Sequence, residues 1–202
     1  VTGWIEQRAN ALMADGNQSD PGQTTPAKLG GPNGVWMAGS MRFGQRDAQS
    51  GRPSYDFRSE GITMGMDHRF GDSFAAGVAF GYGHDRQDVG DNGSRISASA
   101  KSVALYGSHK VGESFFVDWL GGYQWLDFGL RRYATPTHLM VDSDRSGHQW
   151  FGSISAVADW RSPAWRFAPY LRLDTTRGTL GAYAESSGSL FDLAYLDQSV
   201  DY

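Results

Sequence analysis

Two groups of residues have side chains that hydrolytic or metal chemistry uses. Ser73 follows Gly71-Asp72, and a serine becomes a nucleophile when an imidazole and a carboxylate are brought to it in space. His138, Asp142, Asp144 and His148 lie in or beside one polar stretch, a set able to trade protons or hold a cation. Sequence order excludes neither, because a triad is defined by geometry. The spacing demands neither. No Asp-x-[Asp/Asn]-x-[Asp/Asn]-Gly calcium loop and no Gly-x4-Gly-Lys-[Ser/Thr] phosphate loop occurs, and no cofactor motif is visible. Gly71-Asp72-Ser73 reads as a tight turn, where Gly and Asp favour bends, and the His138–His148 stretch reads as a solvated loop.

The elements that hold these residues are unusual in composition. Glycine is 27 of 202 residues, where about 7% is typical; aromatics are 13% with 7 Trp, yet mean hydropathy is −0.46. That combination suits a sheet with one apolar and one polar face. There is no cysteine, which excludes disulfides and thiolate metal sites. The net charge of −4 gives no reason to expect a nucleic-acid partner. No run of about 18 apolar residues is present to form a transmembrane helix. The chain opens at Val1 with no signal peptide and reads as cut from a longer polypeptide.

Residues 1 to 15 carry Trp4, Ile5, Arg8, Ala9, Leu12 and Met13 at helical spacing, ended by Asp15-Gly16. Residues 16 to 34, rich in Gly, Pro, Asn, Gln and Thr, read as a flexible linker. From Val35 to residue 202 the period becomes two. Phe74, Ala76, Val78, Phe80 and Tyr82 alternate with Ala75, Gly77, Ala79, Gly81 and Gly83. Ile62, Met64, Met66 and Phe70 alternate with Thr63, Gly65, Asp67 and Arg69, with His68 interrupting the apolar set. The pattern gives eight candidate strands near 35–46, 55–70, 73–84, 96–110, 114–130, 147–161, 164–177 and 190–201. Ten-residue alternation is the length a tilted strand needs to cross a bilayer.

The connections alternate too. Gly71-Asp72, Val111-Gly112-Glu113 and Ser162-Pro163 are short; Asp47–Ser54, Asp85–Arg95, Arg131–Ser146 and Gly178–Ser189 are longer and polar. Outer-membrane barrels keep tight turns on the periplasmic side and long loops outside. In hydrocarbon an unpaired peptide group costs several kcal/mol, so such a sheet must close. Arg42, Asp67, Arg69, Asp118, Asp159, Arg166, Arg172 and Asp174 share the polar phase of their strands. They are expected to face the lumen, since an Arg on the lipid face near the midplane costs about 2–4 kcal/mol. A soluble antiparallel sandwich with one solvated face is the competing reading.

Gly61 to Asp72 (GITMGMDHRFGD), Gly77–Gly83, Ser102–Ser108, Phe128–Tyr133, Gln149–Ser153 and Pro169–Asp174, in that order, resemble segments of autotransporter β-domains, the translocator barrels of type V secretion. The resemblance spans about residues 33 to 202. It implies an all-β, antiparallel up-and-down transmembrane barrel of 12 strands, about eight of them present here. It also implies an N-terminal helix in the lumen, placed at residues 1–15. By the same resemblance the function is to anchor and export an N-terminal passenger, with no catalysis by the barrel and no cofactor. The partners implied are outer-membrane lipid, the chain's own passenger and the barrel assembly machinery. Leu193–Tyr202 departs from the terminal-strand signal of the family, so about four strands are expected to be missing. Open edges would then let the fragment self-associate.

Two further resemblances bear on chemistry. Gly71-Asp72-Ser73-Phe74 is similar to the nucleophile block of GDSL-type esterases, enzymes that some autotransporters carry as passengers. The Asp-x-x-His block such enzymes need is absent, since none of His68, His84, His109, His138 or His148 has Asp three residues before it. Some family members cut their own linker with lumen carboxylates and an Asn; Asn10 lies in the helix, but its neighbours do not match that motif. The alternatives to a translocator are a small adhesin or structural barrel acting through its long loops, or a barrel enzyme at Ser73 or the acids around Asp142.

Overall fold

The computed structural model describes residues 25–28, 32–49, 52–135, 137–162, 164–185 and 192–201. The helix expected at residues 1–15 lies outside them. The described chain is built from strands: β1 (Thr25–Lys28), β2 (Asn33–Arg46), β3 (Tyr55–Phe70), β4 (Phe74–Val89), β5 (Ser94–Val111), β6 (Phe115–Ala134), β7 (Leu139–Ala158), β8 (Trp160–Ser162), β9 (Trp165–Phe167), β10 (Tyr170–Leu180), β11 (Tyr183–Ala184), β12 (Ala194–Tyr195) and β13 (Gln198–Asp201). One antiparallel sheet runs β1-β2-β3-β4-β5-β6-β7-β10-β13. Two small ladders, β8-β9 and β11-β12, extend its opposite ends. Short turns pivot on glycines with positive φ, Gly71 at 69° and Gly112 at 70°, a conformation that costs a side-chain-bearing residue energy.

Register carries one face unbroken across the sheet. A row of cross-strand partners runs Trp36–Gly65–Ala79–Ala104–Gly122–Phe151. Trp36, Ala79 and Ala104 in it are buried and, with Tyr106 and Leu120, form the core. Residues one position along each strand point the other way. They include Met64 (45% exposed), Phe80 (52%), Trp150 (62%) and Leu173 (64%). Most of the large apolar side chains are thus outside, while small and polar ones line the inside together with a few large ones such as Trp36, Leu120 and Phe151, nearly the inverse of a soluble fold.

Glycine makes the inner face fit. A Cβ on Gly65 would stand 2.5 Å from the Trp36 ring, and one on Gly77 2.6 Å from Tyr106. The Phe57 ring lies over Gly44 and the Phe151 ring over Gly122. Each of these rings takes the space that a side chain on the glycine of the neighbouring strand would need.

Three differences from the sequence reading have physical causes. The long loops expected at Asp85–Arg95 and Arg131–Ser146 are mostly strand, because β4, β5, β6 and β7 run on past the apolar band and turn at 90–93 and 135–138. Outside a membrane both faces meet water, so polar residues continue the ladder and the alternation disappears. The candidate strand at 164–177 breaks between β9 and β10 at Ala168-Pro169, where Pro has no N–H to donate. Within the stretch read as linker, Thr25–Lys28 pairs with Gly34–Met37.

Adjacent glycines test the packing. A Cβ on Gly121 meets nothing within 4 Å, whereas one on Gly122 runs into Phe151 and stands 2.7 Å from the Val103 carbonyl. Gly122→Ala is expected to destabilise by about 1–3 kcal/mol and Gly121→Ala by far less. The check is the urea midpoint for loss of heat-modifiable gel migration.

Candidate functional site

Two inner-face rows next to the short-turn end gather most of the charged residues expected to share a face. One runs Arg69–Ala75–Ser108–Asp118–Ser155–Arg172 and the other Gly34–Asp67–Gly77–Tyr106–Leu120–Ser153–Asp174. Five of the eight residues named from phase alone, Asp67, Arg69, Asp118, Arg172 and Asp174, therefore stand in adjacent rows. Arg42 belongs to the same face in a more distant row, opposite Ser59. Asp159 continues the phase of β7 just past its end and is 9% exposed. Arg166 lies apart, on β9, with its Cα partner Arg161 in the small ladder.

The polar side chains in these rows hold one another. Tyr106 donates to Asp67 at 2.9 Å and accepts from the Trp36 indole at 2.6 Å. Ser108 donates to Asp118 at 2.6 Å, where Asp118 is 2% exposed. Arg172 and Asp174 pair at 2.8 Å. Arg69 Nε is buried without a hydrogen-bond partner among the described residues. A buried carboxylate is tolerated when it accepts hydrogen bonds. The belt has fixed charges of both signs and several hydroxyls, which suits it to hold a polar peptide surface. Trp36 and Tyr106 were not legible as site residues; the glycines opposite them, Gly65 and Gly77, were the available signal.

The opposite end has its own ionic link. Arg132, at the outer end of β6, donates to Glu185 through Nε at 3.0 Å and a second nitrogen at 2.5 Å. The Leu193 amide donates to the same carboxylate at 2.9 Å. Arg145 donates to the Gly181 carbonyl at 2.7 Å. These bonds tie the segment after β10 onto β6 and β7. None of the partners was read from sequence, since Arg132 and Glu185 are far apart in the chain.

The residues considered for catalysis are not brought together. Ser73 closes the β3–β4 turn, its carbonyl bonded to the Lys110 amide at 2.7 Å. The loop expected to carry four candidates is instead the β6–β7 hairpin. His138 sits at the turn beside the Tyr133 hydroxyl at 2.8 Å, Asp142 pairs with Arg131 at 2.9 Å, and His148 stacks on Tyr123. Asp144 is on β7.

The Arg132 guanidinium, helped by the Leu193 amide, holds the Glu185 carboxyl below its usual range against the opposing effect of burial. A depressed carboxyl contributes stability above its unfolded value, about 4.3, and loses it as pH falls through the folded value. Hydrogen-exchange protection of the Leu193 amide, corrected for intrinsic rate, should hold at pH 6 and fall below about pH 4. Glu185→Gln should show the loss already at pH 6; equal protection in both proteins would count against the link.

The comparisons agree with this geometry. A family model of the autotransporter β-domain matches residues 35–202. The chain is 25% identical over 173 residues to Esterase EstA of Pseudomonas aeruginosa and, equally, of Pseudomonas putida, covering 82% of this chain and 27% of each esterase. It therefore spans about a quarter of those relatives. In structure it resembles the translocator domain of autotransporter NalP from Neisseria meningitidis, with TM-score 0.69 and 16% identity over 99% of this chain and 64% of that one. The siderophore receptor PiuA from Acinetobacter baumannii follows at TM-score 0.51 and 6% identity, covering 88% and 34%. These two likenesses concern fold alone. With the family match spanning nearly all of the strand-forming chain, the protein belongs to the autotransporter β-domain family and is a bacterial outer-membrane translocator barrel domain.

Proposed function

We propose that this chain exports and anchors a passenger carried N-terminal to it on the same polypeptide, and that catalysis belongs to the passenger and not to the barrel. The observation that carries the reading is the division of the sheet into two faces. On the outer face five successive rows are mainly apolar, from Phe70–Phe74–His109–Val117 to Ile62–Tyr82–Lys101–Trp125. On β6 the band spans Phe115 to Trp125, about 33 Å along the strand at ~3.3 Å per residue. At a tilt of about 40° it stands about 25 Å tall, the height of a lipid-facing band. On the inner face the same strands carry the Asp67–Asp118 belt.

The lumen residues of this proposal are Arg42, Asp67, Arg69, Asp118, Asp159, Arg166, Arg172 and Asp174. The belt is the surface against which a helix at residues 1–15 rests, with 16–34 leading into the wall formed by 35–202. The lower part of β10, Tyr170–Thr176, pairs with β7 on one side and with no strand on the other among the described residues. Closure of the wall needs further strands there, supplied in the membrane with the help of the barrel assembly machinery; an isolated fragment would pair with a second copy instead. The names of the two Pseudomonas relatives support an ester hydrolase as the passenger, with its nucleophile outside this chain and Ser73 serving only its turn.

The test is protease shaving of intact cells that carry the parent reading frame with a tag just before Val1. The tag is expected to be removed from outside while a heat-modifiable barrel stays behind. A protected tag beside a folded barrel would favour an adhesin or structural barrel instead. Absence of any heat-modifiable membrane species would contradict the barrel itself.

A further inference from the structure

A sheet that crosses a membrane has two edges to close, and the two edges here differ. At one end, β13 pairs with the outer part of β10, from Leu180↔Gln198 to Arg177↔Asp201. Below that ladder, Tyr170–Thr176 has β7 on one side and no second strand among the described residues. At the other end stands β2, and β1 lies along its edge through Thr25↔Met37, Pro26↔Trp36, Ala27↔Val35 and Lys28↔Gly34.

β1 covers β2 at lipid height. Its partners Val35 and Met37 are level with Met66 and Met64 of β3, residues of the outer apolar band. Peptide groups on this part of the edge have no water to turn to. Yet β1 is not built to complete the wall. It has 4 residues, where a strand that spans hydrocarbon needs about 9–11. Its own far edge has no partner among the described residues. Pro26 has no N–H, so a bond that another residue would give, to β2 or to a strand beyond, is missing.

Those shortcomings are the means by which natural sheets blunt an edge. Short length, a proline and a lysine each discourage the addition of another strand, and Thr-Pro-Ala-Lys combines the three. Pro, Ala and Lys are also poor strand formers, so the pairing is weak enough to be replaced.

We infer that β1 is a temporary guard of the β2 edge, which keeps that edge from pairing with another chain until the strand that closes the wall displaces it. Chain order explains why β2 is guarded and β10 is not. Strands that follow β10 add on its side, where β13 has begun, so that edge is used at once. The β2 edge waits for the strand that comes last and is exposed longest. The strand that replaces β1 belongs to the same polypeptide and covers β2 at least from Asn33 to Gly39, the stretch opposite His68 to Ile62 of the band. The inference rests on closure of the wall by further strands.

The test uses the full-length protein refolded into phosphatidylcholine vesicles, with Ala27→Cys and Val35→Cys joined in a disulfide that fastens β1 to β2. Any cysteine outside these 202 residues, which hold none, is changed to serine. Folding is read by heat-modifiable gel migration. The oxidised protein is expected to give about a tenth or less of the heat-modifiable form given by the reduced protein, because the closing strand is kept from its place in lipid. Reduction of the oxidised sample should restore the yield. A disulfide between Met64→Cys and Phe80→Cys, on strands that stay paired, should leave it unchanged. Replacement of Thr25–Lys28 by glycine and serine should raise the fraction that aggregates during refolding several-fold, while the folded remainder migrates as the wild type does. Equal yields from the oxidised and reduced Ala27→Cys, Val35→Cys protein would overturn the inference. So would an equal loss in the two disulfide proteins, or aggregation unchanged by the glycine–serine replacement. Absence of a heat-modifiable form from the wild type would remove the barrel reading itself and the guard with it.

Discussion

Hydrocarbon holds no water to satisfy a peptide group, and every other feature of this chain follows from that. An N–H or C=O left unpaired there costs several kcal/mol, so strands must pair along their membrane-crossing length. β2 to β7 do so residue for residue, from Asn33↔His68 through Ala134↔Leu139, and β10 continues the ladder onto β7. Once pairing is fixed, the two-residue period decides which side chains meet lipid. A slip of one residue would move Arg69 and Arg172 to the lipid face, where a cation costs about 2–4 kcal/mol at the midplane and about 0–1 kcal/mol near the interfaces. It would also put Met64, Phe80 and Ile154 inside.

The same constraint explains where the glycines stand. With large side chains required outside by lipid, the inner face has to accept rings that reach sideways across the sheet. Trp36 and Tyr106 come from β2 and β5, with two strands between them, yet share a hydrogen bond. They meet because Gly65 and Gly77, on the strands between, offer no side chain. Their meeting in turn delivers the Tyr106 hydroxyl to Asp67. The polar belt of the inner face is therefore a product of packing as well as of charge.

Much of this was legible in the sequence because lipid enforces alternation. The bounds 55–70 read from Ile62, Met64, Met66 and Phe70 are those of β3, and the charges read as one phase at Asp67, Arg69, Asp118, Arg172 and Asp174 fall in adjacent rows. His68, which interrupts the apolar set of β3, stays on the outer face, where Nδ1 meets the Asn33 side chain at 2.7 Å and its ring the edge of Phe70 at 4.6 Å. Legibility ended where lipid ends. Arg86, Asp88, Arg95, Arg131 and Asp142 look like loop residues in sequence, yet Asp88–Arg95 and Arg131–Asp142 are cross-strand pairs that lengthen two hairpins into water, with Arg86 bonded to Asp88 along β4. The Arg132–Glu185 link joins distant segments and has no periodic signature to find. Ser73 and the His138–His148 residues have catalytic types, but turn geometry and strand pairing disperse them.

Adjacent residues along each strand face different solvents, lipid on one side and water on the other. Because the chain has no cysteine, single cysteines can be placed in neighbouring pairs, Leu173→Cys beside Asp174→Cys and Met64→Cys beside Thr63→Cys. In outer membranes, a water-soluble maleimide is expected to label the Asp174 and Thr63 positions. The Leu173 and Met64 positions should resist it and react instead with a lipid-partitioning reagent. Equal labelling of both members of each pair by the water-soluble reagent would contradict the account, because both faces of the sheet would then be in water.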